Sequence, residues 1–291
     1  MSDCIQMIPL FSGSSGNVIY VQFHQCRLLI DIGCSCKKVT DALHSVGVSP
    51  QELSGILITH DHSDHIQGMD VFTRKYGIPV YATEHTWAGI HAVEKKPHQP
   101  SLDHTIVPGI PIYIDGVRID AFATSHDTPG SVGYRMSDPQ YTISVVTDLG
   151  YISSDVRQGI RGSDLVLIEA NYNHDMLWNG PYPWSLKKRV DGKKGHLSNT
   201  DSAQAILELI LEGTKHFVLG HLSEENNSPR QAMSDVSSFL SEHSLCLGRD
   251  YQMQTANRYR PSEAVVLSES CDSTDSLSEW FKQLRSLEIV G

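Results

Sequence analysis

Short apolar runs alternate with amphipathic stretches along most of the chain. Residues 18–23 and 27–31 predict a β-hairpin that closes at Gly33, and residues 36–46 predict a helix stopped by Gly47. Residues 55–60, GILITH, predict a short buried strand, 66–75 a helix ended by Gly77, 79–82 another strand and 86–94 another helix. Across 106–122 apolar and polar residues alternate around turns at Pro108-Gly109 and Asp115-Gly116, the period of two that suits strands. Residues 133–136, 141–147, 164–169 and 216–219 predict four further strands. Residues 155–159, 200–211 and 228–240 predict three further helices, the second capped by Asn199 or Thr200 and the third with Pro229 in its first turn.

Strands and helices thus recur in two similar halves. That order predicts an α/β (α+β) sandwich, sheets inside and helices outside, in one domain over residues 1–265. The remainder, 266–291, is polar and ends in an amphipathic segment, expected as a tail with a short terminal helix. The N-terminus lacks the pattern of a secretory signal, and no run approaches the ~18 apolar residues of a membrane span, which predicts a soluble cytoplasmic protein. Its six cysteines are then expected reduced, most of them buried as small apolar residues. The formal charge of -11 opposes broad, non-specific coating of nucleic acid but leaves room for a local basic patch.

The strongest chemical signal is THDHSDH, residues 59–65, directly after GILI. Imidazole suits zinc, iron and manganese, and carboxylate adds a hard anionic ligand. His60 and His62 share a side of an extended segment, whereas a turn can redirect Asp64 and His65 to a second position. One ion cannot readily use all four; two ions about 3.5–4 Å apart can. The same kind of position recurs elsewhere. His126 ends AFATSH, Asp148 follows ISVVT and His221 ends HFVLGH, each after an apolar strand. A carboxylate such as Asp148 can bridge two cations. Asp31, ending LLID, is either a ligand or the group that holds a ligand histidine by its other ring nitrogen.

His196 stands instead in a loop before a helix, in KKGHLSNTDSA. That setting suits a proton donor to a leaving group; the plainer alternative is a histidine that caps the loop. Lys187, Lys188, Arg189, Lys193 and Lys194 precede it as the densest basic stretch, either a solvated loop or a clamp on phosphates. FSGSSGN, residues 11–17, has a Ser and Gly run whose backbone amides can cradle an anion.

The H-x-H-x-D-H pattern from His60 to His65, followed in order by His126, Asp148 and His221 and preceded by Asp31, resembles the metallo-β-lactamase superfamily. FSGSSGN, LLIDIGCSCKK, ITHDHSDHIQG, SHDTPGSVGYR, VVTDLG, LIEANYNHDML, GPYPWSLKKRV, GHLSN and LGHLSEENNSP extend the resemblance to its YycJ/WalJ-type proteins, over nearly the whole chain to about Ser262. The resemblance implies a four-layer αββα sandwich of two mixed sheets with metals at one edge, and the activity of a 5′-to-3′ DNA exonuclease. It implies that His60, His62 and His126 hold one ion, that Asp64, His65 and His221 hold the other, and that Asp148 bridges them. Asp64 would also orient the attacking hydroxide. The similarity of GHLSN to a G-H-S-T stretch of tRNase Z supports His196 as the acid. Unlike nucleases with a β-CASP insertion, this chain inserts no domain in the about 70 residues between Asp148 and His221, so core loops must hold the substrate.

These readings converge on hydrolysis of a phosphodiester with two divalent ions, zinc expected and manganese or iron acceptable to the same ligands. DNA is the expected partner ahead of RNA, contacted by Asn17, Asn171, Lys188, Ser198 and Asn226. Oligomeric state is not written in the residues. Two alternatives stand beside this reading. One is a hydrolase of the same fold acting on a cyclic phosphodiester, a thioester or a lactam, which the basic stretch and the GHLSN loop oppose. The other is a non-catalytic metal- or nucleic-acid-binding module, which the presence of every expected ligand opposes.

Overall fold

The computed structural model describes residues 4–93 and 100–268. The first half runs β1 (Ile5–Phe11), β2 (Val18–Phe23), β3 (Cys26–Ile30), α1 (Cys36–Ser45), β4 (Gly55–Leu57), α2 (Ser63–Ile66), α3 (Met69–Tyr76), β5 (Val80–Thr83), α4 (Glu84–Val93) and β6 (Asp103–Ile106). The second runs β7 (Ile112–Ile114), β8 (Val117–Ala123), β9 (Val132–Ser137), β10 (Thr142–Val146), α5 (Ser154–Ile160), β11 (Leu165–Glu169), α6 (His174–Asn179), α7 (Trp184–Val190), α8 (Asn199–Leu211), β12 (His216–Gly220), α9 (Pro229–Glu242), β13 (Gln252–Thr255) and β14 (Val265–Leu267).

The two sheets are built alike, with antiparallel pairs leading into parallel crossovers. The first has the order β14-β1-β2-β3-β4-β5-β6, antiparallel from β14 to β3 and parallel from β3 to β6. The second has the order β13-β12-β11-β10-β9-β8-β7, antiparallel from β7 to β10 and parallel from β10 to β13. Asp115 and Gly116 join β7 to β8 at φ 47° and 86°, as a tight two-residue hairpin requires.

Strand alternation sends one set of side chains between the sheets. Met7, Val21, Leu28 and Ile30 of one sheet form a single cluster with Ile119, Tyr134, Val145 and Leu167 of the other. The outer face of the first sheet, with Leu10, Tyr20 and Ile56, packs under Val39, Leu43, Phe72 and Trp87 of the helices. The outer face of the second, with Val146, Ile168 and Leu219, packs under Val156, Ile206 and Val236. Burying a Leu or Ile side chain contributes roughly 2 kcal/mol, so neither sheet leaves its outer face bare. Three cores between four layers make the expected αββα sandwich.

Several local expectations differ from the structure. β1 lacks a period of two because both its faces are buried, and β13 and β14 are short edge strands held by their neighbours; none has a counterpart in the predicted elements. The helix predicted over 66–75 is split, because Gly68 donates to Ile32 O at 2.9 Å and a Cβ there would lie 2.0 Å from Cys34 O. Ser198, not Asn199 or Thr200, caps α8, its Oγ accepting from Asp201 N at 3.1 Å. Lys187, Lys188 and Arg189 stand on α7 rather than in a loop; α6 and α7 are too short to show a clear helical period. The boundary expected at 265/266 falls inside β14, and the predicted terminal helix and Glu94 lie outside the described residues. Cys26, Cys34 and Cys36 are buried, whereas Cys246 is exposed. Among the described residues, no helix is long and apolar enough to cross a membrane.

Candidate metal centre

Parallel strands deliver their carboxyl ends to a common rim, where side chains of successive loops converge. Asp31, His60, Asp148 and His221 lie just beyond β3, β4, β10 and β12, Glu169 ends β11, and His126 lies just beyond β8, which runs in the same direction as β10 although its own pairs are antiparallel. Asp31, Asp148 and His221 turn at φ 60°, 57° and 51°, three of the six non-glycine positive-φ positions among the described residues. A left-handed backbone costs an L-residue about 1–2 kcal/mol and persists where the surroundings over-determine it. Gly33 allows a second close approach. Its missing Cβ would lie 1.6 Å from the carbonyl oxygen of Asp64, which also accepts from Asn17 N at 2.8 Å.

His60, His62 and His126 form one group of converging nitrogens. His60 Nε2 lies 3.1 Å from His62 Nδ1, and His126 Nε2 lies 3.3 Å from the same atom. Two imidazole nitrogens on one tetrahedral zinc stand about 3.3 Å apart. The remaining ring nitrogens are engaged elsewhere. Thr59 Oγ1 gives its proton to Asp31 Oδ2 at 2.9 Å, so it accepts from His60 Nδ1 at 2.9 Å. His126 Nδ1 donates to the Gly195 carbonyl at 3.3 Å. Both rings therefore bring a bare Nε2 to the group. Asp127 Oδ1 lies 3.4 Å from His62 Nε2 and is tied to α7 by Arg189 Nε, which donates to Asp127 Oδ2 at 2.8 Å.

Asp64, His65 and His221 form a second group. His65 Nδ1 donates to Asp31 Oδ2 at 2.7 Å, which leaves Nε2 at 3.5 Å from Asp64 Oδ2 and 3.4 Å from Asp148 Oδ2. His221 Nδ1 donates to Glu169 Oε1 at 3.0 Å, and its Nε2 lies 3.9 Å from Asp64 Oδ2. Asp148 stands between the groups. Its Oδ1 is 3.8 Å from His126 Nε2 and 3.1 Å from His221 Nδ1, while its buried Oδ2 has no hydrogen-bond partner among the described residues. An orphaned buried carboxylate oxygen is costly unless a cation completes it. That oxygen, the bare imidazole nitrogens and the mixed nitrogen and oxygen donors suit divalent metal ions.

The electrostatics divide the histidines. Burial, reinforced by the charge of His65, holds the His60 pKa well below its ordinary value, and burial lowers that of His126, so both stay neutral. Burial alone would lower the His221 pKa, yet the Asp148 charge and the hydrogen bonds that His221 donates to Asp148 and Glu169 push it up to about 10. Burial also opposes the charge on His65, but Asp31 and Asp148 raise its pKa well above the usual range. The Asp148 carboxyl, penalised by burial, is held well below its ordinary value by the charges of His221 and His65.

The expected proton donor lies at the edge of this centre. His196 Nδ1 donates to Glu169 Oε1 at 2.8 Å, its side chain is 20% exposed, and its ring centroid is 5.4 Å from that of His126. Glu169 is fully buried and also accepts from Leu149 N and Leu197 N, each at 3.2 Å. Glu169, Thr59 and Asp127 are site residues that the sequence pattern did not single out. Glu169 carried a usable signal, since it ends the apolar strand LVLIE as Asp148 follows ISVVT.

The five expected substrate contacts separate. Asn17 reaches the second group, its Nδ2 3.1 Å from His65 Nε2. Lys188 is exposed on α7, with Nζ 5.0 Å from the centre of the Trp184 ring. The other three are buried, each with a partner inside the protein. Asn171 Nδ2 donates to the carbonyl of His221 at 2.8 Å, and Ser198 caps α8. Asn226 is wholly buried, and its Nδ2 donates to Ser223 Oγ at 3.3 Å.

Residues 27–222 match the family described as Beta-lactamase superfamily domain. The chain is 37% identical to exodeoxyribonuclease WalJ of Streptococcus pneumoniae, over 89% of this chain and 96% of that protein. It is 34% identical to exodeoxyribonuclease YycJ of Bacillus anthracis, over 87% of this chain and 96% of that protein. Among solved structures, the metallo-β-lactamase fold protein YhfI of Bacillus subtilis superposes with a TM-score of 0.70 at 16% identity, covering 91% of this chain and 100% of its own, which shows a shared fold. The chain belongs to the metallo-β-lactamase superfamily and, within it, to the family of the WalJ and YycJ proteins.

Proposed function

We propose that this chain is a metal-dependent exodeoxyribonuclease that shortens DNA from the 5′ end. The observation that supports the reading is the position of Asp148 between two groups of converging donors, 3.8 Å from His126 and 3.4 Å from His65, with His196 at their edge. The exodeoxyribonuclease names of relatives spanning almost the whole chain support DNA as the substrate. Bound divalent cations, zinc first and manganese or iron next, supply Lewis acidity and water that ionises near neutral pH.

His60, His62 and His126 would hold one cation, Asp64, His65 and His221 would hold the other, and Asp148 would serve both. Asp31 fixes the ring of His65 from outside the centre. Asp64 orients the attacking water, and Asn17, with Nδ2 3.4 Å from Asp64 Oδ2, steadies that carboxylate. His196 gives its proton to the departing sugar oxygen, its ring held by Glu169. Lys188, beside exposed Trp184 on α7, offers a cation and a ring face to the strand. The cytoplasm is the expected compartment. The test is metal analysis together with digestion of duplex DNA labelled at either end. Release of mononucleotides from a 5′-phosphorylated end supports the reading, and release from the 3′ end alone reverses the polarity. Turnover of a cyclic phosphodiester with no DNA cleavage assigns a small substrate instead.

A further inference from the structure

A cavity of about 350 Å³ lies beside the FSGSSGN loop, between the face of α1 that carries Lys38 and Ser45 and the chain at 258–261. Ser15, Lys38, Arg258, Tyr259 and Arg260 line it, together with Phe11. The cavity is linked to the metal centre through the backbone. Ser12 Oγ accepts from His221 N at 2.8 Å, and Asn17 N donates to Asp64 O at 2.8 Å, so both ends of the loop that carries Ser15 touch the centre. Arg258 Nη2 donates to the carbonyl of Leu222, the residue after His221. Gly13, at φ 138°, makes room for that guanidinium, since a Cβ there would lie 2.7 Å from Arg258 Nη1.

The charge of this cavity runs against that of the chain. Arg258 Nη1 is buried and has no acceptor among the described residues. The acidic residue of the lining, Asp41, is paired with Lys37 at 2.5 Å. Three cations thus share one cavity on a protein of net charge -11. Tyr259 is 63% exposed and anchored by its hydroxyl, which donates to Glu224 at 2.7 Å. Cations around a small cavity with an exposed ring beside it match a phosphate and its attached base.

We propose that this cavity is a subsite for a phosphate of the DNA strand a few nucleotides or fewer from the bond being cut, with Tyr259 stacking on the attached base. The proposal rests on the exodeoxyribonuclease reading. That phosphate is either the 5′-terminal group or one within the backbone. Lys38 and Arg260 supply exposed charge, while Arg258 also holds the loop, so the test uses Lys38→Ala/Arg260→Ala, with a thermal melt to verify folding. Affinity of the metal-loaded protein for a fluorescent, cleavage-resistant phosphorothioate single strand is measured by anisotropy across a salt series. The expected result is a loss of about tenfold in affinity and a log K against log salt slope shallower by about 1.4, the value for two lost contacts to a single strand. Unchanged affinity and slope in a folded variant would overturn the proposal, as would wild-type protein that binds no strand. Strands with a 5′-phosphate or a 5′-hydroxyl separate the sources: an effect confined to the former identifies the terminal phosphate, and an equal effect on both identifies a backbone phosphate. Wild-type binding that depends on Lys38 and Arg260, without DNA cleavage, would sink the exodeoxyribonuclease reading and leave the subsite standing.

Discussion

Glu169 Oε1 accepts a hydrogen bond from His196 Nδ1 at 2.8 Å and, with the same oxygen, from His221 Nδ1 at 3.0 Å. One buried carboxylate therefore sets the rotation and tautomer of two rings, one in the second ligand group and one at the open edge. Replacement of the carboxylate by an amide weakens its capacity to accept both bonds. Glu169→Gln is expected to lower kcat by about 10–100-fold, the usual effect of losing such an outer partner. Steady-state kinetics on DNA checks this, and an unchanged kcat would detach Glu169 from the reaction.

His196→Ala is expected to keep the full metal content while slowing cleavage by about 10²–10⁴-fold, the contribution of a positioned acid. Metal content by elemental analysis, measured beside the single-turnover rate, distinguishes the roles. A variant that loses metal would make His196 a ligand.

Metal binding is expected to expel protons. Burial disfavours protonation of His221, yet Asp148 and Glu169 push its pKa up to about 10, so without metal it holds a proton at neutral pH. His65, also buried, is raised well above its ordinary value by Asp31 and Asp148. A cation must displace these protons, so affinity rises with pH through the neutral range and falls as acid restores them. Calorimetric titration of the chelator-stripped protein in buffers of different ionisation enthalpy measures the release. Affinity independent of pH would contradict it, as would full nuclease activity after verified metal removal.

Asp31→Asn is expected to weaken metal binding by about 10–100-fold without removing a direct ligand. The carboxylate accepts from His65 Nδ1 at 2.7 Å and from Thr59 N at 2.8 Å, thereby orienting both His65 and the strand end before His60. Competition with a chromogenic chelator reads the change, and wild-type affinity in the variant would remove Asp31 from the centre.

Gly33→Ala is expected to cost about 3 kcal/mol through overpacking, because the new methyl meets the carbonyl oxygen of Asp64. Gly47→Ala is the control. At φ 77° with nothing among the described residues within 4 Å of the added Cβ, it bears only the left-handed backbone cost of about 1–2 kcal/mol. Denaturant melts of the two variants should differ accordingly, and equal losses would refute the crowding at Gly33.

The hairpin β2–β3, the parallel strands β10 to β12 and helices α1, α8 and α9 were legible because each carries a clear apolar period or a turn residue. Edge strands β13 and β14 were not, since pairing with a neighbour rather than local pattern holds them. The same distinction separates the inward-turned residues. Asn171, Ser198 and Asn226 resemble surface contacts in a polar loop sequence, and only their placement shows a carbonyl, a helix end and a serine as their partners.

Residue type and strand-end position alone marked the side chains proposed as metal ligands and their order along the chain, Glu169 excepted. The chemistry of imidazole and carboxylate is local, and each apolar strand announces where its loop begins. Thr59, its neighbour in the chain, engages Nδ1 of His60, but which nitrogen His65, His126 and His221 offer was decided by the tertiary structure. The opposite nitrogens are engaged by partners far away in the chain, His65 by Asp31 across 34 positions, His221 by Glu169 across 52 and His126 by the Gly195 carbonyl across 69. No local pattern encodes such distances. They arise when two sheets, each driven to bury both faces, bring their strand ends to one rim.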